Sequence, residues 1–374
     1  MVCTLNEYAL WQGSSPHCNR ILLQMAVTKR NDSIHFLRGM TIMVIVFRHS
    51  LGFFDSQSLQ TDFFAKIVDE ISFNWTVFFV LISGYLFQHL SPGYNTRKYW
   101  LSKLKNILAP YLVVSIFCFI LLHYQHIRSM PFYSTDGSNV VFWTIRMLLT
   151  GAHSEPLWYI PVILTIFCLG PALYRLSRKD LTIIATACLL LSVMTFKPDP
   201  QESLKNVLHY LPIYIVGMLL CQKRAFLKDQ IDKNLPFLIA FFVAIVAMSF
   251  HKKLGLSWLN IADDYLMSLE KIILFVILYS LLNRVQLANW CSRSLSYFAD
   301  ISFAIYFIHM IIITFLLEVL SSFSWWHRVT TLENGFLSTT ATGLFTMLVL
   351  LLCSGIVTLV RFALGKKSRL MLGS

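Results

Sequence analysis

Ten long apolar runs, separated by short polar connections, constrain this 374-residue chain more than any motif does. A run of roughly 20 apolar residues forms a helix that crosses ~30 Å of hydrocarbon, and no water inside a bilayer satisfies the backbone, so each run must satisfy its own amides as a helix. The runs are Ser33 to Phe54, then 67–90, 101–123, 156–175, 181–196, 203–222, 235–251, 267–284, 297–320 and 338–362. The fifth is short and the sixth is interrupted by His209 and Pro212. Val140 to Leu149 is too short to span and reads as an amphipathic segment along the surface. The expected fold class is therefore all-α, a polytopic integral membrane helix bundle of about ten transmembrane helices. With 56% hydrophobic and 13% charged residues, the chain is excluded from the ordinary soluble globules. No internal repeat or Gly/Ser-rich linker divides it. The expected organisation is a disordered cytoplasmic tail (1–32), one membrane domain (33–362) and a basic cytoplasmic tail (363–374). Met25 opens a more typical lead-in than Met1 and is an alternative start.

The net charge of +12 would point to nucleic acid in a soluble protein. Here it follows topology. When loops are assigned alternately to the two sides with the N-terminus inside, the inner set holds more than twice as many Lys and Arg residues as the outer set. Basic loops stay in the cytoplasm, so both termini are expected there, membrane lipids are the expected surroundings, and no nucleic-acid partner is expected. The eight cysteines form no C-x-x-C pair and read as small core residues. His123 and His126, with His153 and Glu155 later in the same loop, lack a defined ligand set, so no metal site is expected.

The first run carries Arg38, Arg48 and His49. An ionisable residue inside a spanning helix is costly and marks function by default. Arg38 and His49 are eleven residues apart, which returns to within roughly 20° of one face and separates them by roughly 16 Å along the axis. Arg38 thus lies near the inner boundary and His49 further toward the outside. Arg48 points about 100° away from His49 and ranks below Arg38 as its partner.

Arg38 and His49, followed by F-F-V-L-I-S-G-Y-L-F from Phe78 to Phe87, resemble the opening of the acyltransferase family 3 membrane proteins. A basic run ending in Ala109-Pro110-Tyr111, the segment Pro156 to Val162 and I-S-F-A-I-Y-F-I-H from Ile301 to His309 follow in the same order. The resemblance covers about Ser33 to Arg361. It implies an enzyme, a membrane O-acyltransferase that moves an acyl group, usually acetyl, from acyl-CoA to a hydroxyl of a surface polysaccharide or lipid-linked glycan, and a location in the bacterial inner membrane. Acyl-CoA would be a donor substrate, with no permanently bound cofactor.

Under that resemblance His49 is the candidate general base, since imidazole titrates near neutral pH and an alcohol attacks only when its proton is taken. Arg38 is the candidate holder of a CoA phosphate or the thioester carbonyl. Lys103, Lys105 and Arg97 are candidate donor-binding residues. The family often has R-x-x-R where this chain has Lys103 and Asn106, and ordinary positive-inside anchoring explains the cluster equally simply. Ser302, Tyr306 and His309 share an i, i+4, i+7 stripe able to line a cavity, and Tyr306 and His309 join Trp158 as candidate acceptor contacts. Trp158 and Tyr159 suit either sugar stacking or an interfacial aromatic belt, the belt being favoured for Tyr159. Ser83 and Gly84 are read as a site of close helix approach. The competing function is a transporter or flippase for an envelope glycan precursor, which would show two halves with matched broken helices; no such symmetry is visible.

Overall fold

The structure, a computed structural model, describes residues 31–53, 62–124, 140–194, 202–253, 263–330, 332 and 334–373. His126 and the first 30 residues lie outside the described residues. The described part is 91% helical with no strands.

The first span is α1 (Asp32–Leu51), whose start is set by Asn31, the side chain of which accepts from the Ile34 amide. The expected run 67–90 is broken. It comprises α2 (Phe63–Ser72) and α3 (Thr76–Leu90), with Asn74 between them at φ 57°, a left-handed conformation that Asn tolerates better than most residues. The third span begins before its apolar run, as α4 (Thr96–Lys103), a π-helical turn at Leu104–Leu108, and α5 (Ala109–Tyr124). Next comes α6 (Val140–Thr150), which buries Met147 and leaves Val141, Phe142, Ile145 and Leu149 exposed, as an interfacial helix does. A 3-10 turn at Glu155–Trp158 leads into α7 (Tyr159–Arg175). After α8 (Arg178–Met194) comes α9 (Ser203–Gln222), continuous through Pro212. Then follow α10 (Arg224–Lys253), α11 (Asp263–Arg284), α12 (Asn289–Ser321), the short α13 (Ser324–Thr330), α14 (Gly335–Leu364) and α15 (Ser368–Leu372).

Among the described residues, nine helical segments are long and apolar enough to cross a bilayer by themselves. The exception among the expected spans is α8, at 17 residues. Helix directions nevertheless require it to cross. Along α1 and α12, His35 meets the Ser296 carbonyl at 3.2 Å, Arg38 meets Ser302 at 2.7 Å, and the His49 and His309 rings lie 5.2 Å apart, so the two helices are parallel. Along α3 and α9, Tyr210 meets Asn74 at 3.5 Å and Gln222 meets Gln88 at 3.1 Å, again in parallel. Helices running the same way through a bilayer are separated by an odd number of crossings. Leaving α8 out makes that number even for both pairs. At about 1.5 Å per residue it is roughly 25 Å long, at the short end of the range for a spanning helix.

Glycines bring these parallel pairs together. A Cβ on Gly84 would stand 1.9 Å from the Tyr214 carbonyl oxygen, and one on Gly217 would stand 2.2 Å from that of Leu81. Close helix approach, read from Ser83-Gly84, is thus the role of Gly84. Gly39 does the same for α1 and α12, where a Cβ would meet the Leu295 carbonyl oxygen at 2.2 Å. On one side of the bundle, Ser33 bonds Asn283 at 3.0 Å, and Gly373 lies against Asn106, Pro110 and Phe303, so both described ends share that side.

A buried ionic cluster fastens the opposite half. Lys271 on α11 lies 2.5 Å from Glu270, and its ammonium also donates to the Glu70 and Ile71 carbonyls on α2, at 3.1 and 3.2 Å. The side chains of Lys271 and Glu270 are wholly buried and Glu70 is nearly so.

Candidate active site

The parallel register of α1 and α12 aligns their polar stripes, which are written independently in the two segments. At the level nearer the described chain ends Arg38 donates through Nε to Ser302, which passes its own hydroxyl hydrogen to the Ala299 carbonyl at 2.9 Å. The Phe303 ring lies 5.1 Å from the guanidinium carbon. Beside Arg38 is a cavity of about 40 Å³. Phe79, Ile82 and Leu86 of α3 and Phe303 of α12 form its apolar walls, with Ser83 among them. Arg38 and Ser302 stand at that same level, Tyr159 and Tyr306 about one helical turn further along.

Tyr306 connects this cavity to the opposite level. Its hydroxyl donates to the Pro156 carbonyl, and its ring lies 6.0 Å from that of His309. His309 is fully buried, and its Nδ1 contacts two backbone carbonyls, Ile305 at 3.0 Å and Tyr306 at 2.9 Å. Carbonyl oxygens only accept, so Nδ1 carries the proton and the neutral ring keeps its lone pair on Nε2. That Nε2 is buried with no partner among the described residues.

His49 sits against His309, and its Nδ1 is 3.8 Å from the Glu155 carboxylate. That separation is an ion-pair distance, too long for a hydrogen bond. The His49 side chain is 20% exposed and that of Glu155 70%, so the pair opens toward the side opposite the described chain ends. Arg48 points away, paired with Asp69 at 3.0 Å and lying over the Phe73 ring.

The segment carrying Glu155 is held from below. His153, buried between α5 and α6, contacts the Met147 carbonyl at 3.1 Å and Ser115 Oγ at 2.8 Å. Burial pushes the His153 imidazole down to about 4, with Nδ1 on the Met147 carbonyl and Nε2 against Ser115 Oγ, whose own hydroxyl donates to the Tyr111 carbonyl at 2.7 Å. With Tyr306 on Pro156, this anchors the 153–158 segment at two points.

The structure separates the three basic candidates. Lys103 is turned inward, its ammonium 3.7 Å from the Phe167 ring and 5.3 Å from that of Tyr99, whereas Arg97 and Lys105 are exposed. Trp158 packs on Tyr210 with ring centroids 5.6 Å apart. The aromatic-belt expectation for Tyr159 is corrected: the residue is buried, its ring 5.8 Å from Tyr306, because α7 turns this face toward α12 and the cavity. Among the described residues no cluster of His, Cys, Asp or Glu has the makings of a metal site. Sequence reasoning missed Glu155 as a neighbour of His49, and the only signal was its position just outside an apolar run.

No curated protein and no solved structure matches this chain. The family described as an acyltransferase domain does match, over residues 31–359, from the first turn of α1 nearly to the end of α14. The chain that holds Arg38, His49 and His309 on two aligned helices belongs to acyltransferase family 3 and is a membrane acyltransferase.

Proposed function

We propose that this membrane acyltransferase uses acyl-CoA, with acetyl-CoA foremost, to esterify a hydroxyl of a cell-surface polysaccharide or lipid-linked glycan. It would do so in the bacterial inner membrane with both termini in the cytoplasm, the side favoured by the basic loops. The observation that carries this reading is the meeting of His49, Glu155 and His309 at the outward end of a stripe that begins at Arg38.

In this mechanism the acceptor hydroxyl gives its proton to His49 as its oxygen attacks the thioester carbonyl carbon. The carbon–sulfur bond breaks, and the proton passes from His49 to the departing sulfur, leaving an ester and free CoA thiol. While the imidazolium exists, the Glu155 carboxylate stabilises its charge. The lone pair on His309 Nε2 offers a preset acceptor beside it. Arg38 holds the donor, through the carbonyl oxygen or a phosphate, and Lys103, Lys105 and Arg97 line its approach. The acceptor comes from the outer side past Trp158, and Tyr306 lines the place where the two substrates meet.

The test is His49→Gln in the purified full chain. Glutamine keeps the hydrogen bonding but takes up no proton near neutral pH, and general base catalysis contributes on the order of 10²–10⁴-fold. Acyl transfer should fall by that factor with the protein still folded. Near wild-type transfer by this variant would make His49 structural. Mass spectrometry of envelope glycans with and without the protein identifies the acceptor and the acyl group together.

A further inference from the structure

The cavity beside Arg38 has a size and a polarity that match one chemical group. A water-sized group needs about 10–15 Å³ of such space, so 40 Å³ accommodates about three non-hydrogen atoms. An acetyl group has that number: a methyl, a carbonyl carbon and an oxygen. The walls are apolar, as a methyl requires. Among the lining residues the one charged group, Arg38, stands at one end, with the hydroxyls of Ser83, Tyr159, Ser302 and Tyr306 completing the polar contacts.

Arg38, half-buried, has spare donors turned toward this space. Of the five N–H donors of a guanidinium, Nε is taken by Ser302, and among the described residues no carboxylate contacts the others. Asp300, whose charge reaches Arg38, is 58% exposed and itself lies 3.4 Å from His35. A cation with spare donors at the end of an apolar cavity suits a carbonyl oxygen, with the methyl directed into the walls. Of the hydroxyls lining the cavity, which include those of Ser83 and Tyr159, that of Ser302 is engaged by Ala299 and that of Tyr306 by Pro156. At the other end of the cavity Tyr306 touches His309, so a group held here is within one residue's thickness of the histidine pair.

Resting on the acyl-CoA reading above, we infer that this cavity is the acyl chamber of the enzyme and that Leu86 and Ile82, with Phe79, set the length of acyl group it takes. The substrate class is two-carbon acyl thioesters. Longer chains are refused sterically.

The experiment measures donor binding, which needs no acceptor. The full chain in lipid nanodiscs binds radiolabelled acetyl-CoA, and free CoA, acetyl-CoA and butyryl-CoA compete for it. One methylene too many is worth about 10- to 200-fold in a fitted apolar site, so butyryl-CoA should compete about 100-fold or more weakly than acetyl-CoA. Leu86→Ala removes three carbon atoms from the wall and should bring butyryl-CoA to within about tenfold of acetyl-CoA, by the same per-methylene factor. Ile82→Ala, on the same helix one turn earlier, repeats the test should Leu86→Ala fail to fold. Competition independent of acyl length in the wild type, or a ratio unmoved in both variants, overturns the chamber and leaves the acyltransferase reading standing. Absence of binding by any CoA species overturns the donor reading itself, and the chamber with it.

Discussion

Replacing Glu155 by Gln tests whether the carboxylate beside His49 takes part in catalysis or merely lies near it. The pair is separated by 3.8 Å. A unit charge pair at that distance interacts by about 1 kcal/mol in bulk water and about 4 kcal/mol at an effective dielectric constant of 20. Glu155 is 70% exposed, which draws the value toward the aqueous limit. An interaction of about 1–2 kcal/mol corresponds to a rate effect of about 5- to 30-fold. His49 gains its charge only as the hydroxyl proton is transferred, so the carboxylate should favour the transition state over the bound donor. The expected result is a fall in kcat of that size with KM for acyl-CoA unchanged. The assay is release of CoA thiol by the purified chain in nanodiscs, with envelope glycan extract as acceptor. Added salt should narrow the difference between wild type and Glu155→Gln, since exposed charges are screened. An unchanged kcat, or a higher KM at constant kcat, would refute the argument and leave Glu155 a rim residue.

His309→Gln should lower acyl transfer by less than His49→Gln does, since His309 acts through its neighbour; the two losses are compared on the same preparation, and equal losses would make His309 the base. Lys271→Met removes the cation of the buried cluster and strands the Glu270 carboxylate, a change that costs about 3–5 kcal/mol; the thermal unfolding midpoint in detergent should drop sharply, and a midpoint within experimental error of wild type would show that the cluster carries no stability. With the His153 imidazole pushed down to about 4 in the folded protein, the unfolded chain binds the extra proton between its ordinary value near 6.5 and 4. Stability is therefore full above that window and falls as pH drops through it, by up to about 1.4 kcal/mol per pH unit. His153→Gln should flatten this dependence, and an equal slope in both proteins would exclude His153 as its source.

What was legible in the sequence is what periodicity and polarity record. The eleven-residue interval between Arg38 and His49, and the i, i+4, i+7 stripe of Ser302, Tyr306 and His309, each describe one face of one helix, and those faces do meet. Which faces meet is a property of the fold. The nearness of Glu155 to His49 joins residues more than a hundred positions apart and leaves no local trace. The interior position of Tyr159 was missed because an aromatic residue at the start of a spanning helix suits the interface equally well, and rotation of α7 about its axis decides between them. Lys271 and Glu270 lie within an apolar run whose average hides them. The break at Asn74 depends on one left-handed residue in a sequence with neither Pro nor Gly to announce it.

The parallel pairing of α1 and α12 gives the proposed chemistry its geometry. One end of each helix holds the group assigned to the donor and the other end holds the histidines, so the distance between donor anchor and base is the rise of a helix, roughly 16 Å for eleven residues. A helix is stiff along its axis, and two helices joined at Arg38–Ser302 and at His49–His309 resist sliding, since a shift of one moves both contacts together. The absence of a Cβ at Gly39 lets the Leu295 carbonyl approach closely enough to keep that register. Under the proposed mechanism a donor held by Arg38 would extend along α1 toward His49, starting from the cavity that Tyr306 also lines. In the proposed mechanism the two ends stay fixed, so the acyl group would be supplied from one side of the membrane and received at the other.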